Sequence, residues 1–518
     1  MTILPLYLVI TIVIGWASKR LVTGSNDFLN ASRALPVWAV AGAFLSSNCG
    51  ALEIVGLSAV AAQYGVLAFH FYWIGAIPAM LFLGGVMIPI YLRSGVKSLP
   101  EYLEKRYDAR VRLLNAWLIL CTITALSGIE IYAMAEVLNV EFNWPFAVSA
   151  CLSAGVVMIY VVIGGLRATV YNELFQLAII LIGLLPLLFR TRIPLDGFAF
   201  RTGPHWHLWT GLPLVSPHDQ LDGVAVIVGL GFVLSFSYWC TDFVQIQRAL
   251  AAKSIPDARL VPLLAGFGKL AFSLIVVVPA LGAASYLGSR MPASYNQTLP
   301  ALMTSSYGPI LLGLGITALL ASLMSGLAAN VTAFSAVWTQ EIYRPYLRKG
   351  APETHYISMG RRSAIVAALL SIATSYLAIH FRDLMEYIQL IFSLFAAPFF
   401  AVFLMGMFTR KATSTGAIAG LISGVAVSFT YQLLVAFGLF THGSLMSTNF
   451  HAAIYAFATS LAVGLLSSTT AQRRHHEEIA HLIFDYRGYH KHLRLSPTWW
   501  ILAGLLVAIC AGLNYAWR

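Results

Sequence analysis

Long apolar segments recur along the whole chain and limit what it can fold into. Each has about 20 residues, the length that an α-helix needs to cross a bilayer. The 518 residues are 59% hydrophobic and only 10% charged, whereas a soluble domain is about one quarter charged. We therefore predict an all-α integral membrane protein with about fourteen transmembrane helices, near residues 2–18, 35–62, 70–92, 113–134, 146–163, 168–189, 225–247, 262–288, 307–340, 364–380, 385–408, 413–437, 450–468 and 497–516.

Positive charge is distributed unevenly between the loops. When successive loops are placed on alternate sides of the membrane, one side receives most of the 32 lysines and arginines. Short cytoplasmic loops carry such an excess, so we predict that the N- and C-termini both lie outside. The net charge of +11 is explained by this topology, and we expect no nucleic-acid partner.

Two of the apolar spans are interrupted by polar residues. In the span near 35–62, the stretch Ser46–Glu53 carries hydroxyls, an amide, a glycine and a carboxyl group. In the span that starts near 225, Ser235–Asp242 places hydroxyls, aromatic rings and an acid in an apolar helix. A charge in hydrocarbon costs about 3 kcal/mol by insertion scales, so such residues usually face a cavity. Broken helices at the membrane midplane are typical of the substrate and ion sites of secondary transporters.

The two interrupted spans lie five spans apart and so enter the membrane from opposite sides. An inverted repeat of five plus five helices requires this spacing, with the first helix of each half broken. We predict five regions. They are an extra N-terminal helix with a cytoplasmic loop (1–34), a first repeat (35–190), an extracellular loop (191–224), a second repeat (225–408) and C-terminal helices (409–518).

Polar side chains inside the spans are the first candidates for binding. Glu53 and Lys269 each either pair with a neighbouring helix or bind a solute. Gln389 both donates and accepts hydrogen bonds, which suits hydroxyl groups, although a helix–helix hydrogen bond also explains it. Ser322 and Ser325 lie on one helix face, where they either provide hard oxygen ligands for sodium or serve helix packing.

Other residues are open to structural or functional interpretations. Glu173 has a structural explanation, an ion pair with Arg167, whereas the deeper Glu130 is more suggestive of function. The spans present no His/Asp or Ser/His pair for catalysis, and the five cysteines have no paired spacing. We therefore expect neither an enzyme, nor a disulfide framework, nor an organic cofactor.

Motifs spread over most of the chain resemble the sodium/solute symporter family, and within it the sodium–glucose cotransporter branch. They are Ser47-Asn48-Cys49-Gly50, Pro89-Ile90-Tyr91, Pro100–Arg106, Gly164-Gly165-Leu166, Tyr238–Asp242, Gln247-Arg248, Ala321–Ser325, Gly360-Arg361 and Tyr387-Ile388-Gln389. The resemblance implies a LeuT-type fold in which the solute lies midway between the two broken helices.

The resemblance also implies roles for individual residues. Solute-contacting or gating positions of the sugar branch are matched by Asn48, Tyr238, Trp239, Lys269 and Gln389. The family's shared sodium site would receive backbone carbonyls from Ser46, Cys49 and Ser322, and a hydroxyl from Ser325.

Three positions depart from that branch. Gly326 stands where a second serine hydroxyl is expected at the sodium site. Glu53 stands in place of a histidine, and Tyr72 in place of the sugar-binding acid. Either the hydroxyl-binding carboxylate has moved from one helix to the other, or the solute is not a hexose. The missing sodium ligand and the buried Glu53 also make proton coupling an alternative.

Together these observations predict a secondary active transporter in the lipid bilayer of the plasma membrane, the inner membrane in a bacterium. It would import a small polar solute, a sugar or polyol, by alternating access with Na⁺ as coupling ion, and a monomer is expected to suffice. The solute site would include Tyr72 together with the matched positions and Glu53. One alternative is a proton-coupled or sodium-independent carrier of a sugar or another small polar solute. Another is a membrane sensor, but a sensor would need a signalling domain and we expect none.

Overall fold

A computed structural model describes most of the chain. The described residues are 3–18, 24–30, 35–96, 98–191, 206–209, 212–214, 221–381, 383–440, 444–470, 479–484 and 495–517. Within these ranges the chain forms helices and turns, and the one β-type contact is an isolated bridge between Leu35 and Ala252. Most of the predicted extracellular loop 191–224 and part of the predicted cytoplasmic loop before residue 35 lie outside the described residues.

The helices are numbered here in chain order. They are α1 (Ile3–Ser18), α2 (Ser25–Asn30), α3 (Val37–Ser46), α4 (Leu52–Phe69), α5 (Phe71–Arg93), α6 (Leu99–Arg106), α7 (Ala109–Phe142), α8 (Phe146–Arg190), α9 (Ala225–Thr241), α10 (Phe243–Ala249), α11 (Ile255–Leu281), α12 (Ala283–Leu287), α13 (Thr298–Ser306), α14 (Pro309–Leu347), α15 (Glu353–Ala378), α16 (Leu384–Phe408), α17 (Ser414–Ala436), α18 (Leu445–Thr470) and α19 (Pro497–Ala516). Single 3₁₀ turns lie at Gly288–Arg290, Tyr295–Gln297 and Ala480–Leu482.

Each apolar segment predicted from the sequence contains one or more helices in the structure. By length and hydropathy, 11 helices of the described chain qualify as membrane spans, or 12 when one bent pair is included. This number is lower than fourteen because α8 covers two predicted spans, and because α1 is a short apolar helix. The all-α membrane fold is therefore confirmed, whereas the number fourteen, the five regions and the outside location of the termini stay predictions.

The first interrupted span is broken in the structure. α3 ends at Ser46, and α4 begins only at Leu52. Between them the hydrogen bonds tighten to i→i+3, since the Asn48 N–H donates to the Leu45 carbonyl (3.2 Å) and the Cys49 N–H to the Ser46 carbonyl (3.0 Å). The break turns the polar side chains of residues 47–51 away from a regular helical register and into the protein interior, where Asn48 is buried.

The second interrupted span is also broken. Asp242 has an extended backbone (φ −69°, ψ 126°), and the axes of α9 and α10 differ by 53° around it. Its carboxylate accepts a hydrogen bond from the Gln245 N–H (3.1 Å) and so caps α10. The acid of this motif therefore has a structural role, and the prediction of two broken helices is confirmed.

Longer helices enclose the two breaks. α3 packs against α8 and α11, α10 packs against α3 and α14, and α14 packs along α7 and α8. The N-terminal end of α4 lies against α16. Side chains from α7, α11, α14 and α16 therefore reach the polar residues at the breaks.

Gly165 marks the kink inside α8. Its backbone (φ 58°, ψ −148°) lies in a region that glycine alone adopts readily. An added Cβ would also lie 2.7 Å from Cδ2 of the Phe28 ring on α2. Both effects make this position specific for glycine.

We expect Gly165→Ala to destabilise the protein by about 1–3 kcal/mol, the cost of a residue held in such a backbone region. The measurement is the thermal unfolding temperature of the purified protein in detergent. Gly155→Ala is the matched control, because it lies on the same helix and a Cβ there meets nothing within 4 Å. Equal unfolding temperatures for the two variants would show that the kink tolerates a side chain.

Candidate functional site

A chain of hydrogen bonds joins five of the predicted solute-site residues. Lys269 of α11 donates to the Glu53 carboxylate and to the Asn48 side-chain carbonyl. Tyr72 of α5 donates to the other Glu53 oxygen at 2.6 Å, and the Asn48 amide donates to the Tyr238 hydroxyl on α9. The network therefore connects both broken helices through α5 and α11.

The ion pair at the centre of this network is buried. Lys269 is fully buried, and Glu53 is 4% exposed. Burying two charges costs several kcal/mol per ion unless hydrogen bonds satisfy their remaining groups, and here Asn48 and Tyr72 supply those bonds. Of the two alternatives for Glu53 and Lys269, the structure contains the pairing with a neighbouring helix.

A cavity lies beside the ion pair. Its lining includes Glu53, Leu230, Ser235, Tyr238, Trp239 and Gln389. Its volume is about 40 Å³, room for about three water molecules and well below the roughly 300–1,000 Å³ of small-molecule sites, so the cavity has to widen before a solute binds there. The Trp239 ring also lies 5.3 Å from the Lys269 ammonium, so the cavity wall contacts the ion pair.

Gln389 lines the cavity but lies outside the hydrogen-bond network. Its amide nitrogen is 3.2 Å from the Met385 sulfur on the same helix. Its buried carbonyl oxygen has no hydrogen-bond partner in the described part of the chain. An unsatisfied buried acceptor costs about 1–3 kcal/mol, so this oxygen favours a ligand or water that donates to it. The alternative of a helix–helix hydrogen bond is therefore not realised.

Tyr238 and Phe392 separate this cavity from two others. Their rings lie 5.2 Å apart and line all three. The first cavity extends along α9 towards Leu230, whereas the other two extend past the break towards Phe243 and Gln245. The Gln245 amide donates to the Tyr238 hydroxyl (3.3 Å), a contact that the sequence does not indicate although Gln245 lies in α10, the second half of this broken helix.

The four residues predicted for the sodium site also meet. The Ser325 hydroxyl lies 3.1 Å from the Ser46 hydroxyl and donates to the Ser46 carbonyl (3.2 Å), while the Ser322 hydroxyl donates to the Cys49 carbonyl. Ser322 therefore places a hydroxyl, in addition to the predicted carbonyl, at the first break. Hydroxyl and carbonyl oxygens are the ligands that hard cations prefer, so the donor set fits Na⁺.

Glu173 is paired differently from the structural alternative considered above. Its carboxylate accepts hydrogen bonds from the Arg248 guanidinium, with Nε at 3.2 Å, and both side chains are fully buried. The suggested pair with Arg167 is therefore wrong. No spacing along the chain indicates the observed pair, because Arg248 lies 75 positions away on α10.

Comparison with known proteins identifies the family. The family model described as "Sodium:solute symporter family" matches residues 28–424. The sodium/glucose cotransporter of Vibrio parahaemolyticus is 25% identical over 496 residues, covering 89% of this chain and 90% of that protein. Sodium/glucose cotransporter 1 of Ovis aries is 27% identical and covers 83% of this chain and 71% of its own. The sodium/myo-inositol cotransporter of Canis lupus familiaris is 29% identical, and the match covers 84% of this chain and 67% of that protein.

Solved structures show the same fold. A Na⁺-coupled sialic acid symporter, in a substrate-bound outward-open state, superposes with a TM-score of 0.78 at 17% identity, over 91% of this chain and 98% of that one. A nucleobase-cation-symport-1 family transporter with bromovinylhydantoin bound superposes with a TM-score of 0.53 at 11% identity. The match covers 88% of this chain and 97% of that one. The fold is thus that of LeuT-like transporters, and the chain belongs to the sodium:solute symporter family.

Proposed function

We propose that the protein is a sodium-coupled importer of a neutral polyhydroxyl solute, a sugar or polyol. The observation that carries this proposal is the Asn48–Glu53–Lys269 network beside a cavity that also holds Gln389. Carboxylate and amide oxygens accept hydrogen bonds from hydroxyls, whereas the ammonium and amide nitrogens donate to them. A solute with several hydroxyls can use both kinds of partner.

Charge balance favours a neutral solute. Lys269 and Glu53 neutralise each other within the site, so an organic anion or cation would find no free counter-charge there. The aromatic faces of Tyr238 and Trp239 offer apolar contact to the C–H face of a sugar ring. The names of the relatives, which include glucose and myo-inositol cotransporters, support the same class of solute.

Sodium is supported over a proton as coupling ion. Ser46, Cys49, Ser322 and Ser325 would hold Na⁺, whose binding would neutralise their partial negative charges and tie α14 to the first break. Glu53, the residue that made proton coupling an alternative, already has Lys269 as its counter-ion. Proton coupling at Glu53 would require this buried pair to separate.

Alternating access would follow from the position of Tyr238 and Phe392 between the cavities. Under the predicted topology, the cavity with Trp239 and Gln389 lies on the extracellular side of these rings. The solute would bind there, and movement of the two rings would then connect it to the cavities near Gln245. Through the hydrogen bonds from Asn48 and Gln245 to Tyr238, both broken helices would control this movement.

Uptake into proteoliposomes tests the proposal. Radiolabelled glucose and myo-inositol would be offered with an inward sodium gradient, with an inward proton gradient and with neither. We expect uptake in the sodium arm alone, and unlabelled solute inside the vesicles should accelerate it by counterflow. Full uptake without sodium would overturn symport, and uptake of neither solute would overturn the proposed substrate class.

Ser325→Ala should lower the apparent affinity of transport for sodium. The variant loses a hydroxyl at the proposed cation site, and we expect the sodium concentration for half-maximal uptake to rise about tenfold, which corresponds to about 1.4 kcal/mol. Ser423→Ala is the control, because among the described residues that hydroxyl bonds only to the Gly420 carbonyl of its own helix. An unchanged sodium requirement in Ser325→Ala would place the cation elsewhere.

A further inference from the structure

Three buried glutamates lie around the broken helices, and they differ in their counter-charges. Glu53 is paired with Lys269, and Glu173 with Arg248. Glu130 of α7 is only 8% exposed, yet within the described ranges its carboxylate has no lysine, arginine or histidine partner. Among the described residues, its one hydrogen bond comes from the Ala51 N–H (2.9 Å, to Oε2). A buried carboxyl group is either protonated or paired with a cation. The described residues supply no cation to Glu130, so a bound cation can be its counter-charge.

The carboxylate of Glu130 occupies a space that two glycines leave open. A Cβ added at Gly50 would lie 2.9 Å from its carboxyl carbon, and one added at Gly326 would lie 2.6 Å away. Either distance is too short for a real side chain, so glycine at both positions makes room for the carboxylate. Gly50 directly follows Cys49, and Gly326 directly follows Ser325, so this space adjoins the proposed cation ligands.

We propose that Glu130 is a ligand of the coupling cation, and that its Oε1 replaces the hydroxyl that Gly326 lacks. This inference rests on the proposed sodium coupling and deepens it. A carboxylate changes the charge of the site, because a bound monovalent cation then forms a neutral pair instead of an isolated buried charge. Ligand charge is one of the main determinants of cation affinity.

The position of Glu130 also links the cation to the solute. Glu130, Asn48 and Tyr238 line one cavity together with Gly326 and Gln245. Asn48 and Tyr238 belong to the network that is proposed to bind the solute. A cation held by Glu130 would therefore lie in the same cavity as the Tyr238 ring, and the hydrogen bond from the Ala51 N–H connects Glu130 to the first break.

A structural role is the competing explanation. The Glu130 carboxylate accepts from the Ala51 N–H one residue before α4 begins, where a negative charge stabilises a helix N-terminus. Glutamine separates the two roles, because its amide oxygen can accept the same hydrogen bond but carries no charge. The variant Glu130→Gln therefore keeps the cap and loses the charged ligand.

The experiment measures binding of radioactive sodium to the purified protein by scintillation proximity, alongside its unfolding temperature in sodium-free buffer. We expect Glu130→Gln to weaken sodium binding about tenfold or more while the unfolding temperature stays near that of the wild type. Gly326→Ser alone should also weaken binding, since its Cβ displaces the carboxylate. The double variant Glu130→Ala/Gly326→Ser should recover binding to within about threefold, because a hydroxyl enters the vacated space.

Each outcome decides between the explanations. Sodium binding equal to the wild type in Glu130→Gln would leave Glu130 with the structural role alone, and the proposed sodium coupling would stand. If the double variant binds sodium as weakly as Glu130→Gln does, the Glu130 carboxylate does not stand in for a hydroxyl at position 326. A wild-type protein that binds no sodium would overturn both the role of Glu130 and sodium coupling.

Discussion

Lys269→Met should abolish solute uptake. The ammonium is the one cation in the central network, where it holds Glu53 and Asn48 at the same time. Without it, the Glu53 carboxylate remains buried with Tyr72 as its hydrogen-bond donor, and removal of one partner from a buried ion pair costs about 3–5 kcal/mol. We expect uptake to fall by more than about 100-fold, as measured in proteoliposomes with a sodium gradient.

Loss of folding and loss of binding can be separated for this variant. The double variant Glu53→Gln/Lys269→Met removes both charges, so we expect its unfolding temperature to recover most of the deficit while uptake stays abolished. Lys253→Met is the control, because this exposed lysine lies just before the start of the same helix. Solute uptake by Lys269→Met at the wild-type rate would show that the ion pair is not part of the solute site.

The broken helices and much of the site can be predicted from the sequence, because a single polar or charged residue in an apolar span costs a large free energy of burial in the membrane. A carboxylate, a lysine and an asparagine in apolar spans each require polar surroundings, which is why Glu53, Lys269 and Asn48 were identified without a structure. The structure adds that they contact one another. That contact depends on how α4 and α11 pack, and no residue pattern along one helix specifies the packing partner.

Other features lay beyond the sequence for the same reason. The sequence suggests Arg167 as the partner of Glu173 because the two are close in the chain, but the fold pairs Glu173 with Arg248. In the sequence, Gly326 indicates only a missing hydroxyl, whereas the structure places the Glu130 carboxylate against it. Both relationships join residues on different helices, so they depend on tertiary packing and not on local periodicity.

The Glu173–Arg248 pair is expected to have the largest effect on stability. Both side chains are fully buried, and Arg248 also donates to the Val244 carbonyl of its own helix (3.0 Å). Arg248 lies on α10, the second half of the broken helix, and Glu173 lies on α8, so the pair holds the two helices together. Arg248→Met leaves the Glu173 carboxylate without its counter-ion, so we expect about 3–5 kcal/mol of destabilisation and a large fall in unfolding temperature.

A charge-neutral double variant tests whether the lost pairing causes this effect. Glu173→Gln/Arg248→Met removes the unpaired charge, so it should be more stable than Arg248→Met alone. Arg344→Met serves as the matched control, since its ion pair with Glu353 (3.4 Å) is about half exposed and such pairs contribute at most about 1 kcal/mol. If the double variant unfolds at the same temperature as Arg248→Met, the loss comes from the guanidinium's packing and its bond to Val244. If it recovers, the buried charge is the cause, and the anchoring of α10 to α8 depends on neutralising Glu173.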